Sequence, residues 1–488
     1  MSPLDLAARA ARVACEDAVF RGAMAPHIDV VAAIRQFEVS GPKTIAPFGK
    51  ADNFPRAVAR RIGADPARAI LEPVGGQGPQ HLVNEFAHAI GAGDVGMALL
   101  CGAEAISTAR RMAFLKQSPD WSEEVGGQLE DRGFGEPLLN SKLTRHGAWN
   151  PITVYALLEN ARRARLGLNR ADYALEMGRL FAPFTKVAAS NLHAASRQIH
   201  DAEHLATVGA DNRLTADPYP RRMVARDQVN QGAALLMTSV DRARALGVPE
   251  ARFVYLHGGA DVSERAVIER ADLSSSPASV MAVRRALDAA EIGLDAIDLF
   301  DLYSCFPIAV FNVRDGLGLD KDDPRPLTVT GGLPFFGGAG NNYSMHAIAS
   351  MARMLRVRPG ARGLVGANGG FLSKYSVGVY STTPAAWRGF DSADLQREID
   401  AWPAPRAASG EGIGRVETYT IDYSTKTPRG VVVGRLKGKG GRFVAMTDAD
   451  DPSVVEAMIA HEPFGAKVKL ALNAKGRSII QSFKPKTN

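Results

Sequence analysis

The chain has 488 residues, enough for two or three domains with large hydrophobic cores. Hydrophobic residues make up 46% and charged residues 23% of it, and 58 basic against 52 acidic residues leave a net charge of only +6. This composition is that of an ordinary globular protein and excludes a disordered chain, and so mild a charge excess gives no reason to expect a nucleic-acid partner.

The three cysteines, Cys15, Cys101 and Cys305, lie far apart, and none belongs to a CxxC or Cys/His pattern. We therefore expect no metal site and a reducing, cytoplasmic environment. No apolar run approaches the length of a membrane span, and the N-terminus lacks the apolar core of a signal peptide. The basic run over residues 435–442, which includes Lys439, has no interleaved aromatic residues and is predicted to be a solvated hairpin turn.

Helical and strand patterns alternate from the start of the chain. In order, we predict a helix over 6–20, a strand over 29–40, a helix over 54–64, a short apolar segment over 67–74, a helix over 79–94 and a buried strand over 95–105. The alternation of strand, glycine turn and helix indicates an α/β fold.

Residues 105–215 lose this order, and their polar, Arg- and His-rich sequence predicts a largely helical insertion of the kind that forms a lid or substrate loop. The α/β order then returns, with a strand and helix over 230–247, a strand over 252–262, a helix over 277–293 and a strand over 295–306. The two halves resemble each other loosely, which suggests an internal duplication.

We place the first half, with its insertion, in residues 1–225 and the second half in residues 226–385. Residues 386–414 are poor in apolar side chains and are predicted to be a linker. Residues 415–488 contain alternating strands separated by glycine turns, which predicts a small all-β domain of barrel type.

The segments GGQGPQHLVNEFAHAIGAGDVGMALLCGAEA, NQGAALLMTS, FDLYSCFP, GGLPFFGGAGNNYS and LVGANGGFLSKYSVGVYS follow one another in this order. With them the chain resembles the thiolase superfamily, and its C-terminal addition is similar to that of thiolase-like protein type 1, a subgroup often named acetyl-CoA acetyltransferase. The resemblance implies an α/β fold, the duplicated thiolase fold of αβαβα layers, with a helical loop-domain insertion and a small OB-like barrel. The family also begins with a central strand, whereas this chain begins with a predicted helix, so we expect a truncated or rearranged first sheet.

The resemblance implies a cysteine nucleophile at a helix N-terminus, where the dipole favours a thiolate. That position falls on Gly76, or on Gln77 or Gly78 if the turn is shifted, and no Cys, Ser or Thr lies between Val74 and Gln80. The family's histidine falls on Gly338 and its acid/base cysteine on Ala367. A covalent acyl-enzyme formed at this turn is therefore not expected.

In the second block the family's Asn or His corresponds to Tyr303, followed by Ser304 and Cys305. A related branch, the lipid-transfer-protein-like aldolases, also lacks the nucleophile and uses tyrosines in retro-aldol cleavage of a CoA thioester. The alternative for Tyr303 is a buried tyrosine that caps a strand end, and for Cys305 a small core thiol.

The resemblance further implies a set of polar site residues and a set of backbone N–H groups for an oxyanion or phosphate. The polar candidates are Tyr303, Cys305, Asn341, Tyr343, His346 and Asn368, and the backbone candidates are Gly76, Gln77, Gly78, Gly337, Gly338, Gly369 and Gly370.

Two functions remain open from the sequence. The first is C–C bond cleavage or formation on an acyl-CoA substrate, with no bound cofactor and with Tyr303 moving a proton. The alternative is a degenerate thiolase that binds an acyl-CoA or a protein partner without turnover. Either form is expected to be a monomer or a homodimer.

Overall fold

The computed structural model describes residues 1–136, 141–408, 410–438 and 440–485. The first half begins with α1 (Pro3–Asp17), β1 (Val30–Ile34), α2 (Phe54–Ile62), β2 (Arg68–Glu72), α3 (Gly78–Ala92), β3 (Met97–Glu104) and α4 (Ile106–Phe114). The insertion contains β4 (Glu130–Asp131), α5 (Ser141–Arg145), α6 (Pro151–Leu166), α7 (Arg170–Ser190), α8 (Ala202–Ala206), β5 (Leu214–Ala216) and β6 (Tyr219–Pro220). The half closes with β7 (Gln231–Thr238) and α9 (Val240–Ala245).

The ends of α2 show how local sequence sets element boundaries. The Asn53 side chain accepts a hydrogen bond from the Arg56 N–H, so it caps one of the otherwise unpaired first-turn donors. Gly63 follows the last residue with a left-handed φ of 78°, which costs glycine little. The helix predicted over 54–64 is therefore found, and it ends just before Gly63.

The first sheet has the strand order β4-β2-β1-β3-β7, in which β7 is antiparallel to β3 and the other pairings are parallel. All five residues of β1 are buried because both faces of the sheet are covered. β1 lies between β2 and β3, but the order alone does not identify it as the family's first strand, so the expectation of a truncated or rearranged first sheet stays a prediction. Helix α1 precedes this strand and packs against β3 and β7.

The second half contains β8 (Tyr255–Ser263), α10 (Pro277–Ala289), β9 (Leu299–Leu302), α11 (Pro307–Leu317), α12 (Tyr343–Val357), β10 (Arg362–Gly369) and β11 (Lys374–Ser381). Its sheet has the order β8-β11-β10-β9, with β9 parallel to β10 and β11 antiparallel to both of its neighbours. Helices α3 and α12 pack between the two sheets, α1 and α2 cover the outer face of the first, and α10 and α11 cover that of the second. This is the αβαβα layering of the thiolase fold.

The insertion is packed into the protein rather than laid over it. Every residue of α6 from Thr153 to Arg163 is buried, and the helix contacts α11. Its charged side chains are paired, as in the hydrogen bonds from Arg162 to Asp315. Of the predicted alternatives, a lid or a substrate loop, the buried and internally paired α6 does not fit a lid, because a lid must be able to leave the surface that it covers.

The C-terminal region contains β12 (Gly412–Asp422), β13 (Arg429–Leu436), β14 (Arg442–Thr447), α14 (Ser453–Ala460), β15 (Lys467–Leu472) and β16 (Ser478–Lys484), preceded by α13 (Ala393–Asp400). The five strands close in the order β12-β13-β14-β16-β15-β12, which confirms the predicted barrel. The hairpin β5–β6 of the insertion extends this sheet through the pair Asp422 and Ala216. The basic run joins β13 and β14, and its Lys439 lies outside the described residues.

Helix α13 corrects the predicted linker over residues 386–414. Leu395 and Ile399 of this helix are buried. The Gln396 side chain pairs with both the N–H and the carbonyl of Ser263, at the edge of β8. The connection is therefore a packed segment that covers a sheet edge. Among the residues that the structure describes, no helix has the length and apolarity to cross a bilayer.

Candidate active site

Tyr303 directly follows β9, and its phenol lies over the glycine turn that precedes α3. A Cβ atom built on Gly76 would lie 2.6 Å from Tyr303 Cζ and 2.6 Å from the carbonyl oxygen of Asn368, distances that real Cβ atoms essentially never show. The Tyr303 backbone is fixed by a 2.9 Å hydrogen bond from its N–H to the Gly366 carbonyl. The phenol therefore fills the space that any side chain at position 76 would need.

Asn368 joins two further polar groups beside Tyr303. Its Nδ2 lies 2.9 Å from the hydroxyl of Tyr155 and 3.8 Å from Sγ of Cys305. Its Oδ1 has no hydrogen-bond partner in the described part of the chain. The structure thus brings together Gly76, Tyr303, Cys305 and Asn368, which come from three of the sequence blocks.

Tyr155 is a member of this cluster that the sequence did not reveal. It lies on α6, is buried, and its ring stacks on Phe306 with centroids 4.4 Å apart. It is 213 residues from Asn368 along the chain, so no local motif connects the two. The one available signal was a tyrosine on a helix of the insertion, which is too common to single out a site.

Burial sets the protonation state of the cluster. It raises the pKa of Tyr303 and of Tyr155 well above the usual value, and the neighbouring Cys305 adds to this effect. Burial also raises the pKa of Cys305 to about 12, although hydrogen bonds from Tyr155 and other neighbours oppose it. At neutral pH all three groups keep their protons, so they can donate hydrogen bonds but do not act as strong bases or as a thiolate.

Tyr343 lies behind Tyr303 and supports its ring. The two rings meet edge to face with centroids 5.3 Å apart. The Tyr343 hydroxyl is 3.0 Å from Asp301 Oδ1 and 2.6 Å from Thr330 Oγ1. Burial raises the pKa of Asp301 to about 6, opposed by several hydrogen bonds to its carboxylate. Tyr343 therefore belongs to a buried polar network that fixes the position of Tyr303.

Asn341 is engaged in holding the backbone together. Its Nδ2 donates to the Arg35 carbonyl and to Ser40 Oγ, each at 2.9 Å. These partners lie on the segment that follows β1, so the side chain fastens the start of α12 to the first half. The structure therefore does not place Asn341 beside Tyr303 as a polarising group.

His346 is buried on α12 and packs against Phe336 with centroids 5.4 Å apart. Burial, with a contribution from His193, lowers its pKa to about 3, and its Nε2 has no partner among the described residues. No hydrogen bond in the described residues joins it to Cys305 or Asn368. A neutral, unpaired imidazole can accept a proton only weakly at this pKa.

The first glycine turn is fixed by its own hydrogen bonds. The Gly78 N–H donates to the Gly75 carbonyl at 3.0 Å, and the Gly76 carbonyl accepts from Ser344 Oγ at 2.6 Å. The Gln77 side chain is buried, and its Oε1 has no partner in the described residues. The N–H of Gly78 is therefore not free to hold an oxyanion.

The other two glycine turns are also occupied. The Gly338 N–H donates to the Arg226 carbonyl at 2.7 Å, and a side chain at Gly337 would collide with Gln231. The carbonyls of Gly369 and Gly370 accept from the Ser373 N–H at 3.1 and 3.2 Å. Of the backbone N–H candidates, these bonds engage those of Gly78 and Gly338, and the other backbone candidates stay a prediction.

Phe371 and Leu372 carry backbone strain next to the site. Their φ angles are 61° and 62°, in the left-handed region that side chains with a Cβ rarely adopt. The Phe371 carbonyl is held by Arg270 Nη2 at 2.9 Å. Strain of this kind is typical of functional turns, and no local sequence pattern predicts it at these two residues.

Three ligand-type side chains, Glu72, His81 and Glu85, have oxygen and nitrogen atoms within 4.8 Å of one another beside α3. Arg132 already donates to Glu72 at 3.0 Å and to Glu85 at 2.7 Å, so its guanidinium takes the position that a cation would need. Although burial opposes it, the hydrogen bond with Glu72 raises the pKa of His81 to about 9. We interpret this group as an ion-pair network.

The Tyr303 cluster is enclosed. Tyr303, Cys305 and Asn368 are only 8%, 7% and 1% exposed. Two surface clefts, of about 470 and 280 Å³, lie elsewhere, the larger beside His88 and Phe390 and the smaller at the start of α10. Neither of these two clefts is lined by Tyr303, Cys305 or Asn368.

Residues 394–475 match the family model described as the thiolase-like protein type 1 additional C-terminal domain. The chain is similar to a monomeric SCP2-thiolase like protein type 1 from Mycobacterium smegmatis, with 47% identity over 98% of this chain and 95% of that chain and a TM-score of 0.85. It is also similar to an Ltp2-ChsH2(DUF35) aldolase, with 18% identity over 78% of this chain and 93% of that chain and a TM-score of 0.57. A third similar structure is the dimeric peroxisomal thiolase of Saccharomyces cerevisiae, with 15% identity over 78% of this chain and 92% of that chain and a TM-score of 0.53. Likeness to the last two shows the fold alone, and no curated protein matches the chain.

Proposed function

Because the chain belongs to the SCP2-thiolase-like proteins of type 1, we propose that it acts on acyl-CoA thioesters without forming a covalent acyl-enzyme. One observation carries this proposal: the Tyr303 phenol stands in the space of the missing nucleophile's side chain, at the start of α3. A neutral phenol at this point can donate a hydrogen bond to a thioester carbonyl, whereas a glycine at position 76 offers nothing that could attack it.

The chemistry that suits such a donor is C–C bond cleavage or formation of the aldol or Claisen type. In a retro-aldol cleavage the Cα–Cβ bond of a β-hydroxyacyl-CoA breaks, and its electron pair passes to the thioester carbonyl as an enolate. The β-hydroxyl loses one proton and the enolate gains one, so the protons balance. Tyr303 would give its phenolic proton to the enolate as it takes up the proton of the β-hydroxyl, so the phenol is regenerated at the end of the step.

The aldolase among the similar structures shares only the fold with this chain, so it supports C–C chemistry by analogy alone. That chemistry is favoured by the convergence of Tyr303 with Tyr155 and with Asn368, whose Nδ2 donates to the Tyr155 hydroxyl and whose Oδ1 has no partner in the described residues. Cys305 is a secondary candidate because its thiol keeps its proton at neutral pH.

A second function is supported by the enclosure of the site. Burial leaves no group of the Tyr303 cluster deprotonated at neutral pH, and each member is nearly inaccessible. A degenerate thiolase that binds an acyl-CoA or a protein partner without turnover would have both properties. We rank it second because the polar groups Tyr155, Tyr303 and Asn368 converge, and binding without chemistry would not require that convergence.

Two experiments separate these functions. Isothermal titration calorimetry with CoA and acyl-CoA thioesters tests binding, and incubation with acetoacetyl-CoA and β-hydroxyacyl-CoA thioesters tests release of CoA or a ketone. Turnover that is lost in Tyr303→Phe supports the enzyme. Binding without turnover favours the degenerate thiolase, and the absence of binding to every thioester overturns both CoA-based functions.

A further inference from the structure

A cleft of about 280 Å³ opens on the outer face of the second sheet, away from Tyr303. Its walls come from the start of α10, from α11 and from the end of α6. The polar and charged residues that line it include Arg165, Ser276, Arg284, Asn312 and Asp315.

Ser276 occupies the N-cap position of α10, a helix of 13 residues, but its side chain makes no capping hydrogen bond. The residue is only 2% exposed, and its Oγ has no partner among the described residues. A serine at this position normally caps the helix, and a buried unpaired hydroxyl is costly. The Ser276 hydroxyl therefore lies at the cleft with hydrogen-bonding capacity that no described residue uses.

Asn312 of α11 faces the same cleft. It is 4% exposed, and its Oδ1 also has no partner in the described part of the chain. Because the two ends of an amide are interchangeable in shape, a rotation of the side chain would present its NH₂ group to a ligand. Buried polar side chains normally have a hydrogen-bond partner, so two that lack one at the same cleft indicate that a ligand could supply it.

The charge of the cleft favours an anion. Arg165 and Arg284 line it, and the N-terminus of α10 adds the positive end of the helix dipole. Asp315 also lines it, but Arg162 and Arg314 bond this carboxylate at 2.8 and 3.3 Å. Arg165, which lines the cleft, also pairs with Asp315 at 3.4 Å, so three guanidinium groups share this one negative charge.

We propose that this cleft binds a phosphate group. The Ser276 hydroxyl and the two arginines are donors of the kind that hold phosphate at a helix N-terminus. The ligand is either inorganic phosphate or the phosphorylated end of a nucleotide, for which the volume leaves room. The proposal does not rest on the function proposed for Tyr303, because the two sites share no residue.

Titration calorimetry with inorganic phosphate, with adenosine 3′,5′-bisphosphate and with adenosine tests the proposal. We expect saturable binding of at least one of the two phosphorylated probes and none of adenosine. Ser276→Ala and Arg284→Gln should each weaken that binding about tenfold, as expected for the loss of one charge-assisted hydrogen bond. Arg9→Gln removes an exposed arginine of α1 and is the matched control.

The pattern across the probes identifies the source of the phosphate. Binding of inorganic phosphate indicates a free-anion site, and binding of the bisphosphate alone indicates a nucleotide. Ser276→Ala removes a hydroxyl without a described partner, so its melting temperature without ligand should equal or exceed that of the native protein, which shows that the variant folds. No saturable binding of either phosphorylated probe, or binding that both variants leave unchanged, would overturn the proposal.

Discussion

The phenol of Tyr303 lies where the side chain of residue 76 would begin, so Gly76 and Tyr303 are sterically exclusive partners. A Cβ at position 76 would meet both the Tyr303 ring and the carbonyl oxygen of Asn368. The space beside Gly76, where a nucleophilic side chain would lie, is therefore not empty. The Tyr303 phenol fills it. Glycine at position 76 and tyrosine at position 303 therefore depend on each other, because the phenol fits only where residue 76 has no side chain.

Substitution of Gly76→Ala should destabilise the fold by about 1–3 kcal/mol, the usual cost of an overpacked core, because the Asn368 carbonyl is backbone and cannot turn aside. Gly293→Ala is the control, since a Cβ there meets nothing within 4 Å. Urea unfolding of the two variants measures the difference. Equal free energies of unfolding would show that the turn has room for a side chain.

Tyr303→Phe should leave stability nearly unchanged but should abolish turnover of any acyl-CoA substrate. The Tyr303 hydroxyl makes no hydrogen bond within the described residues, so its removal leaves no partner unsatisfied. Loss of one oxyanion donor typically lowers kcat by about 100-fold or more. Tyr255→Phe, at a half-buried tyrosine of β8, is the matched control. A Tyr303→Phe protein that retains native kcat would remove the phenol from the mechanism.

The thiols of Cys101 and Cys305 should resist alkylation in the folded protein. Burial raises the pKa of each to about 12, so little reactive thiolate forms at pH 8. Iodoacetamide labelling followed by peptide mass spectrometry should modify at most Cys15 in native buffer and all three cysteines in denaturant. Fast native labelling of Cys305 would show an accessible, activated thiol.

Glu104 should make the fold less stable as the pH rises. Burial raises its pKa from 4.5 to about 8, even though its carboxylate accepts a hydrogen bond from the Phe37 N–H. Between these two pKa values the folded state keeps a proton that the unfolded state has lost. The stability that the neutral acid contributes is complete below about pH 4.5 and is lost progressively as the pH rises to about 8.

Glu104→Gln removes this titration. Between pH 5 and pH 9 the free energy of unfolding of the variant should rise relative to that of the native protein by on the order of a few kcal/mol. Urea unfolding at both pH values measures this gain, and Glu16→Gln, at an exposed glutamate of α1, should show none. A stability difference that does not change with pH would mean that Glu104 ionises normally in the folded protein.

The parts of the fold that local sequence determines could be predicted. The helix stop at Gly63, the strand before Tyr303 and the closed C-terminal barrel follow from glycine chemistry and from hydrophobic periodicity. The position of β1 could not be read in this way, because strand order in a sheet is a long-range property. The burial of α6 was missed because its charged residues suggest a surface helix, and only the folded chain pairs them.

The site was predictable where a block of sequence placed residues side by side, as with Tyr303 and Cys305. Asn341 lies in a glycine-rich block, yet its amide is used to bind the Arg35 carbonyl, which only the tertiary structure reveals. Tyr155 reaches Asn368 across 213 residues of chain. The exclusion of Gly76 side chains by Tyr303 also depends on a distance in space that no sequence pattern records.

The most direct test of non-covalent chemistry is intact-protein mass spectrometry after incubation with acetoacetyl-CoA and acetyl-CoA. With Gly76 at the nucleophile position, the mass should remain that of the free chain, even while any CoA or ketone is released. A mass increase of one acyl group, lost in a Cys305→Ala variant, would show a covalent acyl-enzyme and contradict the role assigned to Tyr303.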